Sequence, residues 1–222
     1  METARENLLG KSIAELEQVF VGLGQKPYHG RQLFKWLYRT RQYDFSLMTD
    51  LTKDLRSTLA ERFAFALPEI ATEQTSADGT RKFLFRLADG NPVETVLIPD
   101  GDRKTVCISS QSGCALGCRF CATGTMGLLR HLTAGEIIGQ LIVLRDRFGE
   151  RAFSNVVFMG MGEPLQNFRP LLTALEIMSD PLGLQIAAKK ITVSTSGITP
   201  KIRKLADSGL KPRLALSLHA AT

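Results

Sequence analysis

Apolar residues recur at helical spacing through the first third of the chain. One such pattern follows Ser12–Glu15, which has the Ser-x-x-Glu form of a capping box, and it ends at Gly24. Two further patterns with apolar residues three and four apart run over residues 30–41 and 52–63. We therefore predict a small helical domain over residues 1–67.

Beyond residue 80 the apolar positions alternate. Phe83, Phe85 and Leu87 are separated by single residues, an Asp-Gly-Asn sequence at 89–91 favours a turn, and the segment from Val93 to Ile98 returns as a second strand. This pattern predicts a β-hairpin. We assign residues 68–100 to a hairpin that connects the helical domain to the rest of the chain.

From residue 105 onward, strand-like and helical segments alternate. Short apolar segments at 105–109, 155–159, 191–194 and 214–218 are separated by helical patterns such as 134–148, which begins with a second capping box. This order predicts an α/β fold whose parallel strands are joined by right-handed crossovers. Each motif discussed below follows such a strand, as active-site residues do in (β/α) barrels.

Three of the four cysteines lie in one short segment. Cys114, Cys118 and Cys121 have Cys-x-x-x-Cys-x-x-Cys spacing, and Phe120 precedes the last of them. Three thiolates from one tight loop suit a 4Fe–4S cluster that leaves one iron free for a chelating substrate. The alternative is a zinc knuckle, but its ligand pairs are separated by a longer insert, and none of the three histidines stands at knuckle spacing.

Composition narrows the class of protein. The chain has 222 residues, 44% of them hydrophobic, and can therefore bury a real core. It has no apolar run of the roughly 20 residues that span a bilayer, and its first residues lack a signal-peptide pattern. We therefore expect a cytoplasmic monomer without a membrane partner, in which clustered cysteines mark a metal or catalytic site.

The distribution of charge favours an RNA partner. The net charge is +6, and residues 25–42 hold five basic side chains, no acidic one and four interleaved aromatic residues. Cations that contact phosphates beside aromatic rings that stack on bases are typical of RNA binding. Two alternatives stay open: the aromatic residues fit the inner face of an amphipathic helix, and a second basic run at 189–213 fits the outer face of barrel helices.

Several motifs together resemble a known family. Residues 107–127 read Cys-Ile-Ser-Ser-Gln-Ser-Gly-Cys-Ala-Leu-Gly-Cys-Arg-Phe-Cys-Ala-Thr-Gly-Thr-Met-Gly, and further on stand Gly-Met-Gly-Glu-Pro-Leu at 160–165, Ser-Thr-Ser-Gly at 194–197 and Ser-Leu-His-Ala at 217–220. This sequence resembles the radical S-adenosylmethionine (SAM) superfamily, and within it the RlmN family, which methylates ring carbon two of an adenine in 23S ribosomal RNA. The resemblance covers nearly the whole chain.

The resemblance implies a fold and two cofactors. The family's catalytic domain is a partial (β/α) barrel of radical SAM type, and residues 101–222 would supply about four of its six βα units. A 4Fe–4S cluster and SAM are the implied cofactors. An external electron donor such as a flavodoxin-type reductant, 23S rRNA and possible tRNA substrates are the implied partners.

The resemblance also implies roles for individual residues. The cluster ligands are Cys114, Cys118 and Cys121. The residues that form the SAM pocket are Gly162, Glu163, Ser194, Ser217, Leu218 and His219. Glu94 matches a carboxylate proposed as a proton acceptor, and Cys107 matches a cysteine that resolves a protein–RNA crosslink by forming a disulfide.

The residues themselves leave some of these roles open. Glu94 shares a strand face with Val96 and Ile98, so its pKa is raised if that face is buried and ordinary if the face lies in water. Cys107 also fits a small buried apolar residue. The Glu163 carboxylate fits either contact with the SAM ammonium or a hydrogen bond to a loop amide.

The target atom explains why the family uses a radical. A ring carbon between two nitrogens is not nucleophilic, so it cannot take the methyl group of SAM by displacement; the cofactor supplies a radical route instead. In the family the methyl group passes through a methyl-cysteine near the C-terminal end. The four cysteines of this chain include no counterpart of it, and a later SAM-binding asparagine is missing too. We therefore expect the chain alone to bind a cluster without methylating RNA.

Two other functions stay open. A related family methylates carbon eight of the same adenine, and only the wording after Cys121 favours carbon two. A non-catalytic iron–sulfur RNA-binding fragment is the second alternative, although half a barrel would expose apolar strand edges.

Overall fold

Helices form the first part of the protein. The computed structural model describes residues 5–218. Its first elements are β1 (Glu6–Asn7), α1 (Ile13–Gly22), α2 (Tyr28–Phe34), a π-helical segment (Lys35–Thr40), a 3-10 turn (Phe45–Leu47), α3 (Lys53–Arg62) and β2 (Phe63–Ala64). Ser12 and Glu15 form the predicted capping box of α1, and the Thr52 hydroxyl caps α3. The three predicted helices are confirmed, but the second widens into a π-helix and ends where Arg41 takes a left-handed φ of 54°.

The remaining elements alternate strands and helices. They are β3 (Glu69–Thr75), β4 (Arg81–Arg86), β5 (Pro92–Asp100), β6 (Arg103–Cys107), β7 (Gln111–Gly113), α4 (Ala122–Thr125), β8 (Leu128–His131), α5 (Ala134–Phe148), β9 (Asn155–Phe158), α6 (Phe168–Ser179), a 3-10 turn (Ala188–Lys190), β10 (Ile191–Thr195), α7 (Thr199–Asp207) and β11 (Arg213–Leu216). The strands β6, β9, β10 and β11 pair in parallel. The predicted α/β fold and its four parallel strands are confirmed.

One seven-stranded sheet holds the strands that precede most of the sequence motifs, in the order β11-β10-β9-β6-β5-β4-β3. Its strands β3, β4, β5 and β6 pair antiparallel, so the predicted hairpin is part of the main sheet and has a third strand. The prediction missed β3 because Glu-Ile-Ala-Thr-Glu-Gln-Thr has no regular apolar alternation, as suits an edge strand. Across residues 5–218 the sheet stays open rather than closing into a barrel.

The two faces of the sheet differ in burial. Val106, Val156 and Val193 are fully buried in the main core, together with most of the apolar residues of α5 and α6. The opposite face of the sheet is only partly buried. The residues on this face that stand next to one another across the strands are Val96, Cys107, Val157 and Thr192. We call this opposite face the open face.

The helical domain packs directly on α5. The backbones of Gly10 and Gly135 approach so closely that a Cβ atom on either would overlap backbone atoms of the facing segment. The Arg41 guanidinium donates to Asp146 and Glu150 near the end of α5, at 2.6 Å in each case. The domain is therefore held against the sheet-bearing part by backbone contact and by ion pairs.

The helix that contains the first basic run packs most of its aromatic and aliphatic side chains into the core. Phe34, Leu37 and Tyr38 have at most 1% of their surface exposed, so the amphipathic interpretation is confirmed for them. Lys35 remains exposed, whereas Arg41 is engaged by its carboxylate partners. Among the helices of residues 5–218, none is both long and apolar enough to cross a membrane.

Candidate active site

The carboxyl ends of the parallel strands surround one cavity of about 490 Å³. The predicted site residues in its wall are Cys114, Cys118, Cys121, Gly162, Glu163, Ser194 and Ser217. These residues come from four segments that are far apart in the sequence. The fold therefore brings the cysteine loop together with the loops that follow β9, β10 and β11.

A two-stranded ribbon holds the base of the cysteine loop. Strands β7 and β8 pair on either side of the loop, and the Cys114 amide donates to the Gly127 carbonyl at 2.8 Å. Gly113 has a φ of +76°, and any Cβ there would overlap that same carbonyl, so the crossing requires glycine. Sequence reasoning did not predict this ribbon, although its two glycines were a possible turn signal.

The three loop cysteines are free thiols, and Cys118 and Cys121 lie close enough to Cys114 to interact with it electrostatically. Burial raises the pKa of the Cys114 thiol, and negative charge on Cys118 and Cys121 raises it further. Within residues 5–218, no group of three or more His, Cys, Asp or Glu side chains is arranged to hold a single metal ion. Three soft thiolates lining one cavity are a donor set that fits an iron–sulfur cluster, and their assignment as its ligands stays a prediction.

Neither of the two histidines within residues 5–218 joins this cluster of thiols. His29 lies in the helical domain, where its ring nitrogen Nδ1 is 2.7 Å from Gln32 Oε1. His131 pairs with Gln111 on the ribbon, at 2.9 Å. His219 lies outside the described residues, so its predicted contact with SAM stays a prediction.

Two serines from neighbouring strands meet in the cavity wall. Their hydroxyl oxygens, Ser194 Oγ and Ser217 Oγ, are 3.3 Å apart. Gly162 lies opposite with a φ of +101°, which a side chain would strain. Leu218 is 69% exposed and is not part of the wall.

The Glu163 carboxylate is buried and bonded to the protein itself. Only 3% of the residue is exposed. One oxygen accepts from the Leu165 amide at 3.0 Å and the other from the Ser196 amide at 2.9 Å. Of its two predicted roles, holding loop amides is the one that the geometry shows.

Glu94 and Cys107 lie on the open face. The Glu94 side chain is 43% exposed and pairs with Lys82 at 3.1 Å, so it lies on a face that is open to water rather than buried. Val106 and Ile108, the neighbours of Cys107, point into the core, whereas Cys107 is only partly buried. Cys107 is thus partly buried on the open face rather than packed in the main core; its catalytic role stays a prediction.

A buried glutamine missed by sequence reasoning holds these strands in place. Gln140 on α5 accepts from the Thr95 hydroxyl at 2.7 Å and the Ser109 amide at 2.9 Å. Ser109 Oγ in turn donates to the Glu94 carbonyl at 2.6 Å and accepts from the Met161 amide. A glutamine in the otherwise apolar inner face of a helix was the available signal, because a fully buried amide needs partners.

The reactivity of the Cys107 thiol tests its partly buried position on β6. Burial raises its pKa, and a backbone hydrogen bond from Met159 offsets part of that rise. The thiolate is the nucleophile in alkylation by iodoacetamide. We therefore expect the alkylation rate of Cys107 in the folded protein to reach half its maximum at a pH above about 8.5, the usual pKa of a cysteine thiol. Mass spectrometry of its peptide across a pH series measures this rate. A folded-state curve that coincides with the curve of the denatured chain would contradict the buried placement.

Comparison with known proteins identifies the family. The sequence model of the ribosomal RNA large subunit methyltransferase N-terminal domain matches residues 6–65, and that of the radical SAM superfamily matches residues 108–222. A crystal structure of a radical SAM methyltransferase from Sphaerobacter thermophilus superposes with a TM-score of 0.86 at 44% identity, covering 97% of this chain and 64% of that one.

Curated relatives match across both parts of the chain. The dual-specificity RNA methyltransferase RlmN of Paracoccus denitrificans is 48% identical over 100% of this chain and 60% of its own length. The protein of the same name from Halorhodospira halophila is 48% identical over 96% of this chain and 59% of its own length. The chain thus spans about 60% of the length of these relatives. It belongs to the radical SAM superfamily, and its residues 6–65 are similar to the N-terminal domain of ribosomal RNA large subunit methyltransferases.

Proposed function

We propose that this chain forms the cluster- and SAM-binding portion of an RNA methyltransferase that methylates carbon two of an adenine in 23S rRNA. The observation that carries the proposal is that Cys114, Cys118 and Cys121 share one cavity with the glycine turn at Gly162 and with two strand-end serines. The name of its relatives, dual-specificity RNA methyltransferase, supports tRNA as a further substrate.

The cofactors follow from the superfamily, which uses a 4Fe–4S cluster and SAM. Together they supply a radical able to attack an unreactive carbon–hydrogen bond. In the proposal, the three thiolates hold the cluster, the bare backbone at Gly162 lets the amino-acid end of SAM approach, and the hydroxyls of Ser194 and Ser217 offer it hydrogen bonds. An external electron donor of flavodoxin type and a cytoplasmic location belong to the same proposal.

The substrate adenine is proposed to lie against the open face of the sheet. Glu94 and Cys107 belong to this face, and register places Val96, two residues after Glu94, directly opposite Cys107. Glu94 is assigned as the proton acceptor and Cys107 as the cysteine that resolves the crosslink. The Lys82 ammonium lies 3.1 Å from the Glu94 carboxylate, which places a cation beside the assigned proton acceptor.

Analysis of the methylated nucleoside tests the proposal. The intact mass of the protein from its native source shows whether translation continues past Thr222, and that native protein is then reconstituted with iron, sulfide, SAM and a reductant. We expect it to produce 2-methyladenosine in unmodified 23S rRNA, detected by mass spectrometry after digestion. Formation of 8-methyladenosine would assign the protein to carbon-eight methylation. No methylated adenosine from iron-loaded, SAM-binding protein would contradict the enzymatic proposal and favour a binding role.

A further inference from the structure

One side chain outside the cavity wall connects the ribbon to the turn at 160–163. Gln111 begins the ribbon strand β7 and is completely buried. Its side-chain Oε1 accepts a hydrogen bond from the backbone amide of Glu163 at 2.7 Å. Its backbone nitrogen donates to the Met161 carbonyl at 3.2 Å. Gln111 therefore bonds to the turn at 160–163 through both its backbone and its side chain.

The orientation of the Gln111 amide is determined by its partners. The Glu163 backbone amide can only donate, so it must face the carbonyl oxygen of the Gln111 side chain. The NH₂ group then faces Nδ1 of His131, 2.9 Å away, which accepts its hydrogen bond. Each end of the buried amide thus has a hydrogen-bond partner.

Close packing adds to these hydrogen bonds. A Cβ atom on Gly162 would lie within 2.5 Å of the Gln111 Cβ, so the turn can rest on Gln111 only because residue 162 is glycine. Glu163 extends the connection, since its carboxylate accepts from the amides of Leu165 and Ser196. Ser196 and Glu163 both line the cavity, whereas Gln111 does not.

We infer that Gln111 is a positioning residue for SAM: it holds the 160–163 turn and, through Glu163, the loop at Ser196 in the arrangement that receives the amino-acid end of the cofactor. This inference rests on the proposed function. Glu163 is correspondingly a brace between loops, with both carboxylate oxygens already bonded to backbone amides. The cavity wall is thereby set before the cofactor binds, and less of the binding free energy is lost in ordering the loops.

Three variants separate this role from a general effect on folding. Gln111→Leu has a similar volume but cannot accept from the Glu163 amide. Gln111→Glu keeps an acceptor for that amide, and its second oxygen can accept from the His131 ring in the Nδ1–H tautomer. Ser112→Ala is the matched control, because the buried Ser112 hydroxyl donates only to the Pro92 carbonyl, at 3.0 Å, away from the cavity.

The first measurement is amide hydrogen exchange in the cofactor-free chain. We expect Gln111→Leu to accelerate exchange at Glu163 by about tenfold relative to Ser112→Ala, because it removes the acceptor of that amide and a lost hydrogen bond of about 1.4 kcal/mol corresponds to a factor of ten. Exchange at Leu165 and Ser196 should accelerate by a smaller factor, because their acceptor is the carboxylate of Glu163, which the variant displaces but does not remove. Amides of α5 should keep their protection, and Gln111→Glu should recover part of the protection of the loops. Unchanged exchange at the three amides, or equal acceleration throughout the protein, would overturn the inference.

The second measurement is SAM affinity of the reconstituted protein by isothermal titration calorimetry. We expect the Kd of Gln111→Leu to rise by about tenfold or more, with Gln111→Glu between the two and Ser112→Ala unchanged. Faster loop exchange with an unchanged Kd would overturn the positioning role and leave the proposed function standing. Absence of SAM binding by the unmodified protein, with its loop amides protected, would instead overturn the proposed function, and the inference with it.

Discussion

Replacing Cys118 with alanine is expected to reduce the iron content of the anaerobically reconstituted protein from about four per chain to below about one. The loop provides only three thiolates, so the variant retains two. One of those two, Cys114, has a raised pKa and must release a proton to bind metal, which makes a two-thiolate site weaker still. Iron analysis and the visible absorbance of the cluster measure the effect.

Cys107→Ala is the matched control for this experiment. It removes the same kind of side chain, but from β6 on the open face, outside the wall formed by the loop cysteines. We expect it to keep the full iron content. Equal loss of iron in both variants would contradict the assignment of ligands, and retention of zinc by the unmodified protein without any iron chromophore would contradict the cluster itself.

Replacing Gly10 with alanine is expected to lower the free energy of unfolding by about 3 kcal/mol or more. Gly10 has a φ of +90°, which a side chain strains, and its Cβ would overlap the backbone of Gly135 at the start of α5. Backbone atoms cannot move aside as the end of a flexible side chain can, so the helical domain would have to shift. Urea unfolding monitored by circular dichroism measures the change.

Gly90→Ala separates the contact from the backbone strain. Gly90 has a similar φ of +84°, but nothing lies within 4 Å of the position of its Cβ. We expect it to cost only about 1 kcal/mol, from the left-handed conformation alone. Equal losses in the two variants would show that the contact between Gly10 and Gly135 does not hold the domains together.

Elements with strong local patterns were predicted closely. Helix α5 has the predicted bounds, Ala134–Phe148, because a capping box, an apolar face and a following glycine all agree. The ribbon of β7 and β8 was missed, because each strand is short and its partner lies beyond the cysteine loop. The proposed domain boundaries at residues 67 and 100 stay predictions.

The sequence by itself determined the local elements, the spacing of the three cysteines and the resemblance to a family, because each depends on residues that are neighbours in the chain. Tertiary structure alone decided that the Glu163 carboxylate bonds to the Ser196 amide and that Gln111 supports the turn at 160–163. It also decided that Glu94 is paired with Lys82 rather than buried. These contacts join segments separated by 12 to 52 residues. Sheet register and loop packing bring such segments together, and a pattern that extends over a few residues contains no information about either.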